Sequence, residues 1–280
     1  MKLETLLDGL VFGEGPRWRG DRLWLSDMHA HTVLTVDLAG KREDVLRVEG
    51  KPSGLGWLPD GRLLVVSMED RRLLRREADG RLVTHADLSG FTAHPCNDMV
   101  VDGAGRAFVG NFGFDFEHGE KPRTTCVVRV DPDGFASVAA EEMRFPNGTV
   151  ITPDGRTLVV GESFGSCLTA FAVGANGALS GRREWAKLEG ATPDGICLDA
   201  ENAIWVASPV SSEVLRVREG GAVAERIPTG RPAIACMLGG PDRRTLFVLT
   251  ASAFEAAKCL ANRDAHVEVT RVDVPGSGFP

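Results

Sequence analysis

Six copies of one hairpin unit run the length of this 280-residue chain, and no other feature limits its fold as tightly. Most copies open on a polar and a small residue, continue as a short apolar run, turn at Gly or Asp, and return as a second apolar run. They are Glu14-Gly15-Pro16-Arg17-Trp18 into Arg22-Leu23-Trp24-Leu25; Ser53-Gly54-Leu55-Gly56-Trp57 into Arg62-Leu63-Leu64-Val65-Val66; Asn97-Asp98-Met99-Val100-Val101 into Arg106-Ala107-Phe108-Val109; Asn147-Gly148-Thr149-Val150-Ile151 into Arg156-Thr157-Leu158-Val159-Val160; Asp194-Gly195-Ile196-Cys197-Leu198 into Ala203-Ile204-Trp205-Val206; and Ala235-Cys236-Met237-Leu238 into Arg244-Thr245-Leu246-Phe247-Val248. The second runs begin at 22, 62, 106, 156, 203 and 244, which are 40, 44, 50, 47 and 41 residues apart. A period of this length, holding several short strands, is the signature of a β-propeller. Six units predict six blades.

Between the hairpins lie further strand-like runs, Thr32 to Val36, Thr125 to Val130, Leu168 to Val173 and Glu213 to Val217, whose alternation or β-branched content suits third strands. The ends, Lys2 to Leu7 and His266 to Val274, are expected to pair in one blade, because an open ring leaves two apolar blade faces wet. Ala253 to Arg263 reads as a short helix or an ordered loop. With 33 glycines for tight turns and no visible linker, the expectation is an all-β, single-domain propeller over 1–280.

A net charge of −7 without a basic block excludes neutralising phosphates, so neither a nucleic-acid nor a membrane partner is expected. Lys41-Arg42 and Arg71-Arg72, each with acids close by, read as solvated surface. The six cysteines show no Cys-x-x-Cys spacing, no apolar signal core opens the chain, and no run of about 18 apolar residues occurs. Reduced thiols in a cytoplasmic protein are expected. Cys96 stands out only through its neighbours.

In a propeller the first strand of each blade lines the central channel. Nine positions before each second run (eight in the first unit) stand Glu14, Ser53, Asn97, Asn147, Asp194 and Ala235. Asp194 belongs to one of three Pro-Asp-Gly triplets. Pro59-Asp60-Gly61 and Pro153-Asp154-Gly155 are followed at once by a strand and read as β-turns. Pro193-Asp194-Gly195 precedes its second run by nine residues, so it opens a hairpin. Five of the six register residues thus bring oxygen to one end of the channel. Carboxylates and amides without His or Cys suit a hard divalent cation: Ca²⁺ first, with Mg²⁺, Mn²⁺, Zn²⁺ and Fe²⁺ as alternatives. Turn-forming polar residues around ordered water are the other reading.

Gly13 to Trp18, Phe145 to Gly155 and Pro193 to Asp199 resemble the three hallmark segments of the SMP-30/gluconolactonase (regucalcin-like) family, and the similarity runs from about Leu7 to Thr250. The resemblance implies a six-bladed propeller with divalent-metal-dependent lactonase activity. It makes Glu14, Asn147 and Asp194 metal ligands, and Asn97 the residue facing water or substrate. Asp115, Phe112 and Phe114, in the segment Gly110 to Phe116, and Ser53 are expected substrate neighbours; core packing is the alternative for the phenylalanines. Where sugar-lactonase members carry an arginine, this chain has Pro95, which turns the expectation toward a less hydroxylated lactone or ester. In the implied reaction one metal polarises the carbonyl and activates water. Asp194 acts as general base or as ligand only, and Asn97 orients the water or substrate oxygen. His29, His31, His85, His94 and His118 read as surface or pocket rim. A phosphotriesterase-like hydrolase on the same ion and a non-catalytic Ca²⁺-binding propeller are the rival readings.

Overall fold

Each expected hairpin supplies the two inner strands of a four-stranded antiparallel sheet. A computed structural model describes residues 2–278; the expected domain limits Met1 and Pro280 lie outside the described residues. Counted outward from the channel, blade 1 is Gly13–Arg19, Arg22–Asp27, Thr32–Val36 and Arg42–Arg47. Blade 2 is Pro52–Trp57, Leu63–Ser67, Arg72–Arg76 and Leu82–Asp87, and blade 3 is Cys96–Val101, Ala107–Asn111, Thr125–Val130 and Ala136–Met143. Blade 4 comprises Pro146–Ile151, Thr157–Glu162, Cys167–Val173 and Leu179–Lys187; blade 5 comprises Ile196–Leu198, Ile204–Ser208, Glu213–Val217 and Val223–Pro228. Blade 6 combines Ala233–Gly239, Thr245–Thr250 and Ala265–Arg271 with the N-terminal Glu4–Leu10 as its outermost strand. That last pairing, with Glu4 opposite Val269 and Leu10 opposite Ala265, closes the ring as expected.

Burial explains which strands show in the sequence. The inner strands Cys96–Val101, Pro146–Ile151 and Ala233–Gly239 are buried throughout; the last reads as a continuous apolar run, and the first two do so only past their polar openings, over Met99 to Val101 and Val150 to Ile151. The outer strand Leu179–Lys187 is mostly exposed and carries Arg182, Arg183 and Glu184, so it has no apolar signature. Core residues lie in layers between neighbouring blades, such as Val33, Leu55 and Val65 between blades 1 and 2, or Phe108, Ile151 and Phe171 between blades 3 and 4. Trp18 stacks on Phe247 across the blade 6–blade 1 joint, with centroids 5.4 Å apart.

The stretch Ala253 to Arg263 contains a helix, Ala256–Asn262. Among the described residues no helix is long and apolar enough to cross a membrane. All six cysteines are unpaired and buried. Burial pushes the Cys96 thiol up to about 12, which keeps it protonated and inert. Two histidines depart from the rim placement: His29 and His85 are buried, His29 through contact with Phe12 and a 3.2 Å hydrogen bond to the Phe254 carbonyl.

Candidate active site

The channel end is built from the first residues of the inner strands, and glycines set how closely those strands approach. Gly148 follows Asn147, and its N–H donates to the Asp194 carbonyl at 3.1 Å. A Cβ at Gly148 would overlap that carbonyl and lie 2.5 Å from the Ile196 nitrogen. Only glycine lets blades 4 and 5 meet there. Gly15 and Gly54 pack the same way, against the Ser53 carbonyl and the Asp98–Met99 backbone. Neighbouring register residues are thereby held side by side around the ring.

Asp194 differs from its two sequence look-alikes as its phase required. Gly61 and Gly155 have φ of +89° and +68°, and the carboxylates of Asp60 and Asp154 accept the N–H of Arg62 and Arg156, the geometry of tight turns. Gly195 stays out of the left-handed region. Its N–H reaches Ile234 of blade 6 at 2.9 Å, and the Asp194 N–H reaches Ala207 of blade 5 at 3.0 Å. The Asp194–Gly195 backbone is spent on three blades, so the buried Asp194 carboxylate is left to the channel.

Electrostatics shows which side chains share this space. Burial pushes the Glu14 carboxyl well above the usual carboxylate range, and the charges of Asp194 and Asp98 push the same way. Burial raises Asp194 to about 8; the Asn147 amide opposes that shift and Asp98 adds to it. Arg17, three residues after Glu14 on the same strand, donates to Asp98 Oδ1 at 3.0 Å and to the Met99 carbonyl, and the pair is almost wholly buried. The Asn147 orientation follows from a relay. Ser163 Oγ donates to the Pro193 carbonyl at 2.7 Å, an atom that can only accept, so Ser163 must accept from Asn147 Nδ2 at 3.2 Å. That leaves Asn147 Oδ1, the atom a cation would use, turned away from Ser163. Asn97 Nδ2 and Ser53 Oγ are buried without a hydrogen-bond partner.

Glu14, Asn97, Asn147 and Asp194 are 4–8% exposed, whereas Ser53 is closed off completely. Asp115 is not drawn into this group: its carboxylate takes the backbone N–H and ring of His118 at 3.1 and 2.9 Å on the exposed loop. Phe114 is buried and Phe112 half-buried. Glu162, the last residue of blade 4's second strand, is fully buried and accepts from Thr169 Oγ1, the Arg144 N–H and Arg182. Sequence reasoning passed over Arg17, Ser163, Phe145 and Phe164. Arg17 had one signal, a charge inside an inner-strand run; Ser163 had none.

Residues 12–252 match the SMP-30/Gluconolactonase/LRE-like region. The chain belongs to this family. It is 28% identical over 289 aligned positions to a 6-deoxy-6-sulfogluconolactonase of Pseudomonas putida, covering 96% of this chain and 94% of that one. Identity to a pentonolactonase of Haloferax volcanii is 27%, with 96% and 92% covered. Among solved structures, a gluconolactonase of Xanthomonas campestris superposes with a TM-score of 0.77 at 26% identity, over 99% of this chain and 89% of that one.

The family's lactonases and the oxygen-rich channel end raise the question of a metal. Among the described residues no three His, Cys, Asp or Glu side chains gather as ligands. A cation would therefore draw on two carboxylates and amide oxygen. The residues fit such an ion in kind: Glu14 and Asp194 crowd each other's charge, and the one buried cation nearby, Arg17, is committed to Asp98.

Proposed function

We propose that this SMP-30/gluconolactonase-family propeller opens a lactone or related cyclic ester with the help of one divalent cation, Ca²⁺ first, held by Glu14, Asn147 and Asp194. The observation that supports the reading is that the buried Glu14 carboxyl is raised by burial and by the charge of Asp194, 180 residues away in sequence, while the Asn147 amide nitrogen, and not its oxygen, is the atom bonded to Ser163. Family relatives that are themselves lactonases support it.

A bound cation supplies Lewis acidity toward the ester carbonyl and lowers the pKa of water. The remaining work falls to the chain's own groups. The Asp194 carboxylate accepts a proton as water oxygen adds to the carbonyl carbon. The unpartnered Asn97 Nδ2 donates to the substrate oxygen on which charge develops. Cleavage of the ring C–O bond releases an alkoxide that takes the proton back, giving a hydroxy acid. The six unpaired thiols suit a reducing cytoplasm, where we place the protein.

A pH-stat screen of hydroxylated, aliphatic and aromatic lactones plus a fluorophosphate, with and without chelator, tests this. Acid release is expected to stop with chelator and to fall by at least about a thousandfold in Asp194→Asn. Turnover surviving both treatments refutes the mechanism. Exclusive hydrolysis of the fluorophosphate selects a phosphotriesterase-like reaction, a reading favoured by the phenylalanines at the rim.

A further inference from the structure

Five phenylalanines form one continuous cluster at the channel mouth. Phe112, Phe114 and Phe116 come from the segment between the second and third strands of blade 3; Phe145 and Phe164 come from blade 4. Phe112 stacks on Phe145 with centroids 4.6 Å apart, Phe114 meets Phe164 edge-on at 5.1 Å, and Phe116 stands 5.9 Å from Phe145 and 6.1 Å from Phe164. Phe114 and Phe145 are the buried base. Phe116 and Phe164 are 44% and 46% exposed, so the cluster presents an open apolar face.

Three links tie that face to the residues of the site. Phe145 stands two residues before Asn147, immediately ahead of the strand that bears it. Phe164 follows Ser163, the hydroxyl that orients the Asn147 amide. Phe112 donates its N–H to the Pro95 carbonyl at 3.0 Å, two residues before Asn97. A fourth link sets the reach of the segment. Glu117, next to Phe116, pairs with Lys51 at 3.8 Å, and Lys51 lies two residues before Ser53 in blade 2. The segment thus touches blade 4 through Phe116 and blade 2 through Glu117.

Five phenyl rings offer no hydrogen-bond partner to sugar hydroxyls. A polyhydroxylated lactone seated there would surrender water contacts without replacement, whereas an apolar substituent would gain ring contacts. Building on the lactonase reading above, we infer that the substrate of this site is an aryl- or alkyl-substituted lactone whose apolar group packs on Phe116 and Phe164. The test compares kcat/KM for γ-phenyl-γ-butyrolactone and a polyhydroxylated γ-lactone. The enzymes are the wild type, Phe116→Ala, Phe164→Ala and Phe135→Ala. Phe135 is a control, 63% exposed in the turn between the third and fourth strands of blade 3, away from the mouth.

The wild type is expected to prefer the phenyl lactone by roughly a hundredfold. Each rim variant is expected to lose about tenfold on that substrate and less than about twofold on the hydroxylated one, with Phe135→Ala unchanged. Preference for the hydroxylated lactone, or equal losses on both, overturns the inference while leaving the hydrolase intact. If neither lactone is opened, the screen above decides the hydrolase reading, and calorimetric binding of the matching phenyl and polyhydroxylated γ-lactams decides this one. Tighter phenyl-lactam binding that weakens about tenfold in Phe116→Ala upholds the apolar site, and equal or absent binding overturns it.

Discussion

Gly148→Ala isolates the geometry on which the proposed chemistry rests. The new methyl meets backbone on every near side: the Asp194 carbonyl, the Ile196 nitrogen at 2.5 Å and the Gly195 carbonyl carbon at 2.9 Å. None of these can rotate away. Ordinary contact begins near 3.4 Å, so blades 4 and 5 must part by about 1 Å at this point, and the Gly148 N–H bond to Asp194 is lost. Overpacking of this kind costs about 1–3 kcal/mol. For a chain of this size that lowers Tm by roughly 2–10 °C. A displacement of about 1 Å between Asn147 and Asp194 lowers kcat/KM by about a hundredfold. Thermal unfolding and lactone hydrolysis are measured beside Gly155→Ala, at the other end of the same hairpin. Gly155 needs its positive φ but has no neighbour within 4 Å of a Cβ, so its loss lowers Tm alone. If Gly148→Ala shows the expected fall in Tm yet keeps activity within about threefold of wild type, Asn147 and Asp194 do not act as one site.

Two further substitutions probe the residues that hold the site. Ser163→Ala removes the acceptor that orients the Asn147 amide, and calorimetric titration with Ca²⁺ is expected to show affinity lowered by about 10–100-fold at nearly unchanged Tm; unchanged affinity refutes the relay. Arg17→Met leaves the Asp98 carboxylate buried and unpaired, and denaturant unfolding is expected to show a loss of about 3–5 kcal/mol. Adding Asp98→Leu to that variant is expected to recover part of the loss; strictly additive losses mean that the two side chains do not couple.

Much of the fold was legible because its signals are local. The inner hairpins repeat with a nearly constant phase between start, turn and return, the start being polar in five of six, and both partners of each hairpin lie within about ten residues. Phase alone separated Asp194 from Asp60 and Asp154, although all three sit in the same triplet. The third strands were visible where they are buried, as in Thr125–Val130, but Arg72–Arg76 and the outer strands such as Arg42–Arg47 were not, because solvent-facing strands carry ordinary surface residues. Placing five histidines at the surface or pocket rim failed for His29 and His85: His29 is covered by Phe12 and by Phe254 from blade 6, and His85 meets Arg75 of the adjacent strand and the Gly134 turn of blade 3.

The sequence by itself determined the number of blades and the row of oxygen-bearing residues at the head of the inner strands, which follow from a repeat countable along the chain, and the closure of the ring, which follows from strand-like runs left over at its two ends. Tertiary structure alone decided what those residues face. Arg17 meets Asp98 across 81 positions, Ser163 bridges Asn147 to Pro193 across 30, and Phe116 meets Phe164 from another blade. These contacts depend on how far neighbouring sheets rotate and how closely glycines let them approach, distances that no spacing along one strand encodes.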